Sequence, residues 1–185
     1  MMASLKLLLS AFVLIVTQGA AKADGLTDWA KINAVLSHPR CANCHTPDDR
    51  PHWFIKKTTL SVVHGMNVQR GLDGMGNTGL RCSNCHTEKN GVLKGMTPGA
   101  PNWHLAPASM VWLGQTSAQI CAQIKDPLRN GNRTLDAIAQ HILHDPLVAW
   151  GWQPGEGREP APGSAQETFD ALQRWAGAGA PCPAQ

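Results

Sequence analysis

Two short stretches carry residues whose types and spacing can do chemistry: Arg40-Cys41-Ala42-Asn43-Cys44-His45-Thr46 and Arg81-Cys82-Ser83-Asn84-Cys85-His86-Thr87. Each is a Cys-x-x-Cys-His motif with nearly the same flanks, and the second repeats the first after 41 residues, from Cys41 to Cys82. Two thiols three positions apart can each form a thioether to one vinyl group of a single haem. The histidine that follows is then held beneath the iron as its proximal ligand. The spacing therefore predicts two covalently attached c-type haems, held by Cys41, Cys44, Cys82 and Cys85, with His45 and His86 on the iron. Zinc held by both thiol pairs would need a loop of 37 residues, where zinc ribbons have about 15–20. A redox dithiol would need only one motif and a βαβ surround, which neither copy has.

The next question is what lies opposite each proximal histidine. The remaining histidines are His38, His52, His64, His104, His141 and His144, and Met66, Met75, Met96 and Met110 are thioether candidates. At 100° per residue His144 falls about 180° from the apolar centre of its helix and should face solvent. His141 lies on the flank of that face. His38 precedes its own motif and could reach only the other haem, while His52 must round a haem edge in seven residues. His64 and His104 have enough chain to cross from one haem face to the other and are the expected distal ligands. Met66 and Met110 are their rivals, and which histidine serves which haem is open. For His64 and His104 the plainer role is a packed or surface side chain bonded to a haem carboxylate. Arg40, Arg70 and Arg81 stand near the motifs and could pair with those carboxylates; otherwise they are solvated surface cations.

Around these residues the chain divides in three. Lys6, the apolar run Leu7 to Val16 and the small-residue pattern Ala21-Lys22-Ala23 predict a cleaved signal peptide over residues 1–23. The run is too short to span a bilayer, which needs about 20 residues. Residues 24–115 should hold both haems. A helix is expected from Leu26 to Ser37, with Trp29, Ile32, Val35 and Leu36 at helical spacing, Thr27 or Asp24 as cap, and a stop at Ser37-His38-Pro39. From Thr46 to Gln115 periodicity is lost among glycines and prolines. There Trp53, Trp103 and Trp112 are expected to pack, and Gly71, Gly74, Gly76 and Gly79 to let backbone approach a flat cofactor. Residues 116–185 should form a helical cover on the same globular unit. Its three helices open at Thr116, Thr134 and Ser164. The fold class expected is mostly α and loop-rich, with little or no β.

Cys121 and Cys182 remain after the motifs are counted, and in an exported chain they pair most economically as a disulfide. Losing Lys6 and Lys22 lowers the formal charge from +3 to +1, and haem carboxylates would turn it acidic. With no basic run longer than Lys56-Lys57, nucleic acid is not an expected partner.

On both motifs the chain resembles the dihaem c-type cytochromes. The segments His104-Leu-Ala-Pro-Ala-Ser-Met110, Ile124-Lys-Asp-Pro-Leu-Arg-Asn130 and Pro154-Gly-Glu-Gly-Arg-Glu-Pro160 resemble small dihaem proteins labelled as a subunit of isoquinoline 1-oxidoreductase. The resemblance implies a periplasmic one-electron carrier that takes electrons from an exported molybdenum hydroxylase and passes them to a second redox protein. The alternative is a small dihaem enzyme, peroxidase-like, with one open coordination position. Against that alternative, no further catalytic constellation is evident in the sequence.

Overall fold

The computed structural model describes residues 24–54, 60–93 and 95–184, so the expected signal peptide lies outside the described residues. Helix α1 occupies 24–36 and buries Trp29, Ile32, Val35 and Leu36 on one face. It is already helical at Asp24, so Thr27 stands inside the helix rather than at its cap. The break after it has a local cause. Proline disfavours helix for the residue before it yet suits the first position of a new one. His38 accordingly has extended backbone, and its Nδ1 accepts from Arg40 N at 3.2 Å to cap the four-residue α2 (Pro39–Ala42).

The aperiodic stretch that follows holds two small antiparallel hairpins. β1 (His52–Phe54) pairs with β2 (Ser61–Val63), and β3 (Gly76–Asn77) pairs with β4 (Leu80–Arg81). A single 3-10 turn, Cys82–Asn84, follows β4 directly. Gly71, Gly74 and Gly76 lie tight against other backbone, while Gly79 faces open space. Gly74, at φ 79°, lies where a Cβ would come within 2.7 Å of Leu105 O, and its own carbonyl accepts from Leu105 N at 2.9 Å. A side chain there would push the 103–106 segment away, so at this glycine the close approach is of backbone to backbone.

The C-terminal region is helical from Thr116 onward. Thr116 and Gln119 form a reciprocal capping box on α3 (Ser117–Lys125), and Thr134 caps α4 (Leu135–His144). Asp145 ends α4, and its carboxylate caps the short α5 (Pro146–Ala149), which the periodicity did not reveal. Ser164 caps α6 (Ala165–Gly177).

These helices share one core with α1. Trp29, Ile32 and Leu36 pack among Ile120, Ile124, Ile138, Ile142, Leu172 and Trp175. Each such side chain contributes about 1.5–3 kcal/mol on burial. Trp29 and Trp175 rings lie 5.1 Å apart, and Asp28 accepts two hydrogen bonds from Arg174, at 2.8 and 3.0 Å. The Cys121–Cys182 disulfide ties the tail to α3, helped by Lys125 Nζ donating to Ala180 O at 2.7 Å and Trp175 Nε1 to Pro181 O at 2.8 Å. Among the described residues no helix is long and apolar enough to cross a membrane.

Candidate functional site

The two motifs fold alike although their surroundings differ. In the first, Cys44 N and His45 N both donate to Cys41 O, at 3.1 and 3.3 Å; in the second, Cys85 N and His86 N both donate to Cys82 O, at 3.1 and 2.8 Å. Such a turn carries positions i, i+3 and i+4 on one side, which gathers both thiols and the histidine of each motif. The threonine after each histidine closes the turn in the same way. Thr46 Oγ1 donates to Asp48 O at 3.0 Å, and Thr87 Oγ1 donates to Lys89 O at 3.1 Å.

Each motif histidine is held by a backbone carbonyl and a tryptophan face. His45 Nδ1 lies 3.1 Å from Met110 O, and His86 Nδ1 lies 2.8 Å from Pro98 O. A carbonyl only accepts, so Nδ1 carries the proton and Nε2 keeps its lone pair, the arrangement metal-ligating histidines adopt. His45 stacks on Trp112 at 3.4 Å and 6°, and His86 on Trp103 at 4.3 Å and 9°. Burial pushes His45 down to about 3 and also lowers His86, keeping both rings in the neutral form that binds a metal.

A cavity of about 370 Å³ opens beside the second motif, lined by Cys82, Cys85, His86, His64 and Trp53 among others. The rings of His64 and His86 are 6.1 Å apart, inclined at 58°. Two imidazoles on opposite sides of one metal ion, each nitrogen about 2 Å from it, set ring centres about 6 Å apart, a spacing that the His64–His86 pair matches. His64 Nδ1 is occupied by Gly65 O at 2.8 Å, which again leaves Nε2. The turn that follows has two successive left-handed residues, Met66 (φ 61°) and Asn67 (φ 53°). Left-handed backbone is uncommon for methionine.

The first motif adjoins a narrower cavity of about 140 Å³, walled by Cys41, Cys44, His45, Met110, Trp112 and residues of α4. That is below the roughly 300 Å³ of ordinary ligand pockets, so a haem there requires the walls to part. Both His104 and His141 line it. His104 Nδ1 is bonded to Asn102 O, and His141 Nδ1 lies 3.4 Å from Asp145 Oδ2. The remaining histidines are engaged or turned away: His52 uses both nitrogens, on Ser61 and Asp48, His38 caps α2, and His144 is exposed.

The four motif thiols are not joined to one another. Burial pushes Cys41 up to about 12 and Cys44 to about 11, opposite to the lowered thiol of a redox dithiol. Among the described residues no three His, Cys, Asp or Glu converge as ligands of a bare metal ion, so the thiols do not form one tetrathiolate site.

The three arginines near the motifs separate sharply. Arg81 is paired with Asp73 at 2.8 and 3.1 Å. Arg70 is buried, and its guanidinium donates to the carbonyls of Ala106, Thr46 and Asp48. It is a staple between the exit of the first motif and the 103–106 segment, a role invisible without the fold. Arg40 lies on the boundary between the cavities. Comparison of the chain with known protein families, curated proteins and solved structures returns no match.

Proposed function

We propose that this chain is an exported, periplasmic dihaem c-type cytochrome that carries electrons one at a time between redox partners. The observation that carries the reading is the facing of His64 and His86 at 6.1 Å, each with Nδ1 held by a backbone carbonyl, beside the two thiols of a Cys-x-x-Cys-His motif. Cys82 and Cys85 would hold one haem, with His86 and His64 on its iron. Cys41 and Cys44 would hold the other, with His45 on one side and His104 or His141 opposite. A haem so ligated supplies reversible one-electron chemistry at its iron.

The polypeptide does the rest. Met110 and Pro98 carbonyls fix the histidine tautomers, and Trp112 and Trp103 fix the ring planes. Cys44, Trp103, His104 and Trp150 line both cavities, so a single layer of side chains separates the two sites. That proximity favours passage of an electron from one to the other. The Cys121–Cys182 disulfide accords with an oxidising compartment. An exported molybdenum hydroxylase is the proposed electron donor.

Optical and EPR spectra of the oxidised holoprotein test the reading. Two low-spin haems per chain are expected, and His64→Ala should convert one of them to a high-spin, cyanide-binding form. A wild-type protein with one high-spin haem that reacts with peroxide would instead support a small dihaem enzyme. Purified protein without covalent haem would overturn both.

A further inference from the structure

The two cavities share a cation. Arg40 lines both, directly before the first motif and against Trp150, with its guanidinium carbon 5.4 Å from that ring's centre. Only its Nε is spent, on Glu159 O at 2.7 Å; among the described residues neither terminal nitrogen has a protein partner. Arg158 adds a second positive charge near it, and the guanidinium of Arg158 is turned onto the carbonyls of Pro154 and Met96. By contrast Arg70 is consumed by carbonyls and Arg81 by Asp73.

Resting on the dihaem reading, we propose that Arg40 is a positioning residue for both redox sites at once, offering its free terminal nitrogens to haem carboxylates at the partition and favouring reduction at both. A guanidinium stays charged and presents a fork of donors suited to carboxylates. Its positive charge favours the reduced state, the less positive one, of whichever iron lies in either cavity. At several ångströms and intermediate dielectric a single charge is worth on the order of tenfold in an equilibrium constant. Removing it should therefore move both sites in the same direction, whereas a residue belonging to one cavity moves one.

The test is a spectroelectrochemical titration of the purified holoprotein and of Arg40→Gln, each first assayed for two covalent haems per chain. Expected is a fall in both reduction equilibrium constants of on the order of tenfold, about 59 mV for a one-electron step. Arg40→Lys should restore most of it. A shift confined to one haem, or to neither, overturns the proposal. If Arg40→Gln retains fewer than two haems, Arg40→Lys decides: both steps within about twofold of wild type support a role of charge, and a change in one step alone overturns it. Wild-type protein lacking two haems would fail at the haem assay, before any titration, and would strike the cytochrome reading rather than the role of Arg40.

Discussion

The helical region around the first motif and the loop region around the second solve the same local problem with different means. Both present a Cys-x-x-Cys-His turn with matching hydrogen bonds, and both stack the histidine on a tryptophan. The first turn hangs from α1, whose apolar face lies in a continuous core closed by a disulfide. The second is framed by two hairpins of two or three residues per strand and by polar staples. The first site is narrower, and the second is wider, with half-exposed Trp53 and exposed Met66 at its margin. On the proposed dihaem reading, inequivalent surroundings on equivalent motifs would give inequivalent potentials, which suits a directional two-site relay.

That contrast can be broken by removing what holds each region. The largest effect is expected from the disulfide, which closes a loop with a sequence separation of 61. Cys121→Ser with Cys182→Ser should cost about 4 kcal/mol in chemical denaturation. Hydrogen exchange should rise in α3 and the tail before it rises in 46–104. An even rise across both regions would erase the distinction.

Next comes the loop side. Arg70→Met strips the buried Ala106 and Thr46 carbonyls of the guanidinium donor and should cost about 3 kcal/mol. Limited proteolysis should then cut within 46–104 while the helices stay intact; cleavage in α3 or α6 first would show that the two regions do not yield separately.

The smallest effect sharpens the helical side alone. The Arg174 guanidinium holds the Asp28 carboxyl below the usual carboxylate range. The pair's contribution, about 1 kcal/mol or less, is therefore fully present above that range and lost as pH falls through the lowered value. Asp28→Asn should remove this part of the acid sensitivity in thermal melts, and an unchanged acid profile would count against the pair.

Much of the helical region is legible in the residues themselves. Thr116, Thr134 and Ser164 each cap where a hydroxyl precedes an apolar period, and Asp126-Pro127 and Asp145-Pro146 stop helices because proline lacks the needed N–H. The break at His38-Pro39 and the Cys121–Cys182 pairing are of the same local or countable kind. Less was legible between the motifs. There Gly71, Gly74 and Gly76 bring backbone to backbone, and beyond the motifs α5 is too short to show a period.

What the sequence by itself determined is the pair of Cys-x-x-Cys-His turns, because the thiol spacing and the adjoining histidine are properties of five consecutive residues. What only the tertiary structure decided is what faces them. His64 meets His86 across 6.1 Å, His141 joins His104 beside His45, Arg70 turns inward and Arg40 remains at the partition. Those placements depend on where long irregular connections return, and no period or spacing encodes the direction of a side chain carried by such a loop. They follow from packing against α1, α4 and the 103–113 segment, which exists only once the core has closed.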